Sequence, residues 1–96
     1  MMITGTPEEQ AAARKKILNR LRRAQGQLNA VITAVESDAG CREVVTQLAA
    51  VTSALDRAGF AIVSTAMRDC VVDPEGAEAA EGLTTDELEK LFLTLA

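Results

Sequence analysis

Residues 41–72 decide the fold, and they are CREVVTQLAAVTSALDRAGFAIVSTAMRDCVV. No proline or turn cluster interrupts them before Asp73 and Pro74. Their apolar residues recur in steps of three and four, which is the spacing of one helical face. The face comprises Val44, Leu48, Val51, Leu55, Ala58, Ile62 and Thr65, and is widened by Val45, Ala49, Thr52 and Val63. This pattern predicts one continuous helix with an apolar face too wide for a single partner helix.

The residues before this stretch predict a second long helix. Thr6-Pro7-Glu8-Glu9 combines a capping residue, a proline at the first helical position and a glutamate at the third. The apolar stripe that follows is Ile17, Leu21, Ala24, Leu28, Val31 and Val35. A polar turn at residues 36–40 ends the helix with a glycine. The two long helices should therefore form an antiparallel hairpin.

The last part of the chain is acidic and has fewer structural signals. Residues 74–82 are mainly Ala, Glu and Gly, which predicts a flexible acidic linker. Thr84-Thr85-Asp86-Glu87 then starts a short third helix, whose apolar face is Leu88, Leu91, Phe92 and Leu95. The predicted fold is all-α, a three-helix protomer with two long antiparallel helices and a short C-terminal helix. The hairpin at 1–72 and the tail at 73–96 belong to one domain.

Composition favours self-association. The chain has 96 residues, is 48% hydrophobic and only 2% aromatic, so its core consists of small aliphatic side chains, which suits packed helices. A hairpin of this size has little interior of its own. We therefore expect the 41–72 helix to pack against its symmetry mate in a dimer.

Several classes of protein are excluded. Histidine is absent, which removes every site that needs imidazole as base or ligand. There is no glycine-rich phosphate loop and no cluster of carboxylates, so we predict that the chain is not an enzyme. A signal peptide and a long apolar run are also absent. We expect a cytoplasmic protein without a membrane partner, and its two cysteines should be free thiols.

Charge is distributed unevenly along the chain. Residues 1–72 carry nine basic and seven acidic side chains, which gives this segment a net charge of +2. Residues 73–96 carry one basic and seven acidic side chains, a net charge of −6, so the whole chain has a net charge of −4. No acid lies between Gln10 and Val35, where the basic residues are Arg14, Lys15, Lys16, Arg20, Arg22 and Arg23. A local basic stripe of this kind binds phosphates. The acidic tail is either a solubilising appendage, which we favour, or a competitor for the stripe.

Cys41 and Cys70 are 29 residues apart on the predicted helix. They share one face, about 20° apart around the axis, but lie about 43 Å apart along it. A disulfide needs Cα atoms within about 7 Å, so the two cannot meet within one chain. An antiparallel pair of these helices brings Cys41 of one protomer near Cys70 of the other, twice per dimer. Cys41 also lies at a helix N-terminus, where the dipole favours a thiolate.

The cysteines have a simpler interpretation that the pattern leaves open. Free cysteines are often small buried hydrophobes without reactivity. In that case the chain is a helical adaptor, whose basic stripe binds an acidic protein and whose cysteines are structural.

The segment Arg20-Leu21-Arg22-Arg23-Ala24-Gln25-Gly26-Gln27-Leu28 resembles a motif of the copper-sensing operon repressor family, which also includes nickel, formaldehyde and sulfide sensors. Cys41 and Cys70 match the first and last cysteines of that family, and the resemblance covers roughly 17–72. It implies a homotetramer, a dimer of dimers, that represses transcription on operator DNA and releases it when an inducer occupies the site. The DNA-contacting arginines of the family fall on Arg20 and Arg57; a solvated helix face is the alternative for Arg57.

The departure from the family concerns the inducer. Copper-sensing members have a histidine one turn before the last cysteine, and that position here is Ala66. Formaldehyde-sensing members have an N-terminal proline where this chain has Met2. Two cysteines without histidine most resemble the persulfide-responsive branch, which needs no cofactor. We therefore expect persulfide or polysulfide as the inducer, with Cys41 attacking first. The alternative is Cu(I) held by Cys41 and Cys70, since thiolates suit this soft ion.

Overall fold

The computed structural model describes residues 3–95, so Met2 lies outside the described residues. The chain forms four helices: α1 Pro7–Glu36, α2 Cys41–Val72, α3 Pro74–Glu81 and α4 Thr85–Leu95. The all-α prediction is confirmed, as are both long helices and the helix that starts at residues 84–87. The protomer measures 52 × 30 × 15 Å, the shape of a long hairpin with a tail folded onto it.

Local capping determines where α1 and α2 begin and end. The Thr6 hydroxyl accepts a hydrogen bond of 3.2 Å from the main-chain N–H of Glu9, as the predicted capping box requires. At the turn, Asp38 takes the left-handed position with φ 57°, and Gly40 caps α2 with φ −63°. The predicted turn is therefore correct, but its left-handed residue is an aspartate. A short polar side chain tolerates that conformation better than most.

The prediction of a flexible linker at residues 74–82 is wrong, because these residues form α3. Asp73 caps this helix by accepting a hydrogen bond of 3.0 Å from the Gly76 N–H, and Pro74 occupies the first turn. Gly82 ends it in the left-handed conformation. An acidic Ala-rich segment has good helix propensity, and the Asp-Pro start supplies its nucleus. Residues 3–95 consequently form four helices, where three were predicted.

Small residues form the seam between α1 and α2. The buried side chains of α1 are Ile17, Ala24 and Ala34, and the apolar ones of α2 are Val51, Ala54 and Ala58. Alanine lets two helix backbones approach closely, but it buries little apolar area. Among residues 3–95, no large side chain is fully buried. The hairpin is therefore close-packed yet supplies only a thin core.

Several large apolar residues of both helices lie beside this seam, and among them Leu21, Leu28 and Leu55 belong to the predicted stripes. Leu18, Leu21 and Leu28 of α1 and Leu55 of α2 are between 38% and 52% exposed. With Val51 they line an open groove of about 360 Å³. The apolar residues of α1 thus divide into a buried row, in which Ile17 accompanies Ala24 and Ala34, and an exposed row of leucines.

The tail packs on the second half of α2. Ala77 of α3 and Leu88 of α4 are buried, and both helices contact α2. Gly59 permits a close approach, because a Cβ built there would lie 2.9 Å from Cδ2 of Leu95. Within residues 3–95, none of the helices combines the length and apolar composition that crossing a bilayer requires.

Replacing Ala58, which is 1% exposed, tests the alanine seam. Ala58→Leu should lower the free energy of unfolding by about 1–3 kcal/mol, because the added methyl groups overpack the seam. Urea unfolding at one fixed protomer concentration measures this. Ala11→Leu, at an exposed position of α1, is the matched control and should change stability by less than about 0.5 kcal/mol. Equal stability of both variants would contradict a close-packed seam.

Candidate functional site

Three arginines converge where α1 and α2 face each other. Arg20 Nη1 donates a hydrogen bond of 3.3 Å to the main-chain oxygen of Arg57. These two residues and Arg23 line a cleft of about 380 Å³ whose remaining wall is Ala54. Like charges this close repel one another in the free protein. The arrangement therefore suits a polyanionic partner, which would relieve the repulsion.

The other basic residues of α1 are spread around the helix. At about 100° per residue, Lys16 lies on the same side of α1 as Arg20 and lines a neighbouring cleft with it. By the same angle, Arg14, Lys15 and Arg22 lie on the opposite side. Arg22 lines the leucine groove described above. Lys16, Arg20 and Arg23 of α1 therefore lie on the side that faces Arg57, in two adjacent clefts that share Arg20. Arg14, Lys15 and Arg22 lie away from these clefts.

The two cysteines occupy opposite ends of α2. Cys41 is the first residue of this helix and is exposed, whereas Cys70 is half-buried two residues before its end. A continuous helix of this length keeps them about 43 Å apart. Within one protomer the two thiols cannot share a ligand or a covalent bond.

The tail covers the Cys70 end of α2. Cys70 borders a cavity of about 410 Å³ together with Met67, Leu88 and Phe92. It also borders a second cavity, of about 250 Å³, whose lining includes Ala66, Ala77 and Leu83. The packing of α3 over the Cys70 end of α2 was not predicted from the sequence, because residues 74–82 were expected to form a linker. The Asp73-Pro74 helix start is the signal that would have shown it.

The donor atoms near Cys70 limit which metal the site accepts. Within residues 3–95, no group of three or more His, Cys, Asp or Glu side chains is placed to hold an ion. Ala66 lines the same cavity as Cys70 and offers no ligand. The Met67 thioether, however, lines the other cavity beside Cys70. Soft sulfur ligands suit Cu(I), and Cys70 and Met67 are the two sulfur-bearing side chains that border this cavity.

A buried carboxyl lies next to Cys70. Asp69 is 3% exposed, and it is the one buried polar residue among residues 3–95. Its Oδ1 accepts a hydrogen bond of 2.9 Å from the Thr4 N–H, and its main-chain oxygen accepts one of 2.9 Å from Asp73. Residues near Thr4 are thereby held at the Cys70 end of α2. Sequence analysis missed Asp69 because a charged residue is rarely buried.

Comparison with known proteins identifies the family. Residues 13–94 match the family described as metal-sensitive transcriptional repressor. The match covers both long helices from Ala13 onward, both cysteines and most of the tail. The chain belongs to this family. It is a family of transcriptional repressors and not of enzymes, so the prediction that the chain is not an enzyme is confirmed.

Several curated members of the metal-sensitive repressor family are similar to the chain. The copper-sensing transcriptional repressors CsoR of Mycobacterium bovis and Mycobacterium tuberculosis are 35% identical over 80 residues, which is 79% of this chain and 67% of theirs. That of Mycobacterium ulcerans is 38% identical over 74 residues, 73% of this chain and 63% of its own. This chain thus spans about two thirds of these relatives. No solved structure matches it significantly.

The Thr4–Asp69 hydrogen bond of this repressor-family chain can be tested directly. Asp69→Ala should speed amide hydrogen exchange at Thr4 by about 10- to 100-fold, because a hydrogen bond to a charged group contributes about 1.5–3 kcal/mol. Asp69→Asn keeps an acceptor oxygen and should restore most of the protection. Asp56→Ala, at an exposed position of the same helix, is the control. Unchanged exchange at Thr4 in Asp69→Ala would show that the start of the chain is held by other contacts.

Proposed function

We propose that the chain is a DNA-binding repressor that releases its operator when persulfide or polysulfide reacts with a Cys41–Cys70 pair formed between two protomers. The observation that carries this proposal is the placement of the only two thiols at opposite ends of one helix. The lack of histidine and the position of Ala66 beside Cys70 favour sulfur chemistry over a metal site that needs imidazole. Operator binding and free thiols both suit the cytoplasm.

Convergent arginines support the DNA-binding half of the proposal. Arg20, Arg23 and Arg57 line one cleft, with Lys16 adjacent. Guanidinium groups bind phosphates and guanine edges. On the other side of α1, Arg14, Lys15 and Arg22 contact neighbouring phosphates or a second stretch of the operator. Membership of a repressor family favours this function over the helical adaptor.

A homotetramer, built as a dimer of dimers, is part of the same proposal. The protomer leaves Leu21, Leu28 and Leu55 partly exposed beside a thin alanine seam. Burying such a groove against another copy supplies the stabilisation that one hairpin lacks. An antiparallel α2 pair about a two-fold axis also completes two cysteine sites at once. The sensing site is therefore incomplete in a single protomer.

The sulfur chemistry needs no other oxidant. The Cys41 thiolate attacks a sulfane sulfur, and the sulfur–sulfur bond breaks to expel a thiolate or shorter polysulfide. Cys70 of the partner protomer then attacks the Cys41 sulfur and expels hydrosulfide, which leaves a disulfide. If Cys70 is itself a persulfide, its outer sulfur makes the same attack and expels hydrosulfide, which leaves a trisulfide. If Cys41 then also carries one further sulfur, the product is a tetrasulfide. In each case two electrons pass from the thiols to sulfur.

The tail links this bridge to DNA release. Cys70 is half-buried beneath α3 and α4, so Cys41 of the partner reaches it only when the tail repacks. The bridge then holds the α2 pair in one geometry, which separates the arginine clefts from their positions on the operator. This is coupling between two sites through one interface with two states.

Substituting Cys41 tests the sensing proposal. Polysulfide should weaken operator binding by the unsubstituted protein at least about 10-fold, which corresponds to about 1.4 kcal/mol of coupling. Cys41→Ser should bind DNA equally well and lose this response, because no thiolate starts the reaction. Fluorescence anisotropy of a labelled operator at fixed salt measures both. A full response in Cys41→Ser would refute the proposal.

Cu(I) sensing is the second candidate, since the relatives are named copper-sensing. Met67 is the structural observation in its favour, because its thioether borders the cavity at Cys70. In this version Cys41 of one protomer and Cys70 and Met67 of the other hold the ion. The same interface then transmits the change to DNA.

A Cu(I) titration distinguishes the candidates. If copper is the inducer, reduced protein should bind one Cu(I) per Cys41–Cys70 pair, and Met67→Leu should weaken that binding by about 10-fold or more. Competition with a chromogenic Cu(I) chelator measures the Cu(I) affinity of the unsubstituted protein and of Met67→Leu. The polysulfide response of both proteins is measured in parallel. Weak Cu(I) binding by the unsubstituted protein, combined with a normal polysulfide response of that protein, would exclude the copper function.

A further inference from the structure

A second basic cleft lies between the first half of α1 and the second half of α2. Its volume is about 500 Å³, larger than the cleft of the three arginines. Lys16 and Arg20 line it from α1, and Ser64, Thr65 and Arg68 line it from α2. None of the three α2 residues was predicted from the sequence to bind a ligand, and Thr65 was placed on the apolar face of the helix.

The charges and donors of this cleft suit an anion. Three cations face one acid, Glu9, whose carboxylate accepts a hydrogen bond of 3.2 Å from the Thr6 hydroxyl in the cap of α1. The Ser64 hydroxyl adds a neutral donor, whereas the Thr65 hydroxyl already donates a hydrogen bond of 2.9 Å to the main-chain oxygen of Ala61. Ile17 and Phe60 give the cleft an apolar wall. Phosphate, with several acceptor oxygens and a charge, matches this set.

The cations form a row along the hairpin. Lys16 and Arg20 are one helical turn apart, about 6 Å along α1. Arg68 lies further along α2, eleven residues or about 16 Å from Arg57. Since Arg20 lines both clefts, they form one continuous basic track that ends two residues before Cys70. A track of this length accommodates more than one phosphate group.

We propose that this cleft binds phosphate groups, with Arg68 and Ser64 as binding residues on α2. The phosphates come from one of two sources. The first is the operator backbone, in which case the inference rests on the proposed function and extends its DNA contact surface along α2. The second is a free phosphate compound that occupies the cleft independently of DNA.

The operator source predicts a change in salt dependence. Arg68→Gln should reduce the slope of log Kd against log salt by about 1 and weaken binding to all DNA sequences alike. Arg42→Gln, which removes an exposed arginine from the first turn of α2, is the matched control and should leave the slope unchanged. Circular dichroism melting checks that each variant folds.

A second variant keeps the test decisive if Arg68→Gln does not fold. Ser64→Glu places a carboxylate in the cleft at an exposed helical position, where glutamate has good helix propensity. It should reduce DNA affinity through repulsion of phosphate. Whether a free phosphate compound occupies the cleft is tested by isothermal titration calorimetry. Inorganic pyrophosphate is titrated into the unsubstituted protein and into the same two variants, without DNA.

The outcomes separate the two sources and the two proposals. A lower slope in Arg68→Gln supports the operator source, and saturable pyrophosphate binding that both variants lose supports the free source. Unchanged DNA slopes together with no pyrophosphate binding would overturn the cleft proposal while leaving the proposed function intact. If the unsubstituted protein fails to bind DNA but binds pyrophosphate, the repressor function fails and the cleft stands.

Discussion

One unbroken helix holds Cys41 and Cys70 about 43 Å apart, and the account depends on this separation. An α-helix cannot bend far enough to bring its own ends together, so any chemistry that joins the thiols must join two chains. In the proposed function, sensing is thereby tied to assembly of two protomers. Because α2 also carries Arg57 and Arg68 between its ends, any movement of the α2 pair also moves the residues assigned to DNA.

The alanine seam is the structural reason why the proposed function includes assembly of several protomers. Ala24, Ala54 and Ala58 let α1 and α2 approach closely, which brings Arg20 within hydrogen-bond distance of the Arg57 main chain. The same small residues leave the leucines outside the seam. The same small side chains therefore have two consequences. The close packing of the hairpin orders the arginine cleft. The exposed apolar groove favours binding of a partner.

Periodicity and capping in the sequence were sufficient to predict the two long helices, since Thr6 and the uninterrupted 41–72 stretch are strong local signals. These signals did not lead to a prediction of α3, because the composition of residues 74–82 suits a linker and a helix alike. The cap that Asp73 provides makes the segment helical. The exposed leucines could not be separated from core residues, since burial depends on how closely neighbouring helices approach. The convergence of Arg20 with Arg57 was implied by family resemblance, whereas the burial of Asp69 required tertiary structure.

Complementation between two variants tests the inter-subunit cysteine pair most directly. Cys41→Ser and Cys70→Ser protomers, one carrying a mass tag, are refolded together, treated with polysulfide and weighed intact under denaturing, non-reducing conditions. The account predicts a covalent heterodimer with one bridge between Cys70 of the first and Cys41 of the second, and no crosslink in either variant alone. Unlinked chains in the mixture, while the unsubstituted protein crosslinks normally, would contradict it.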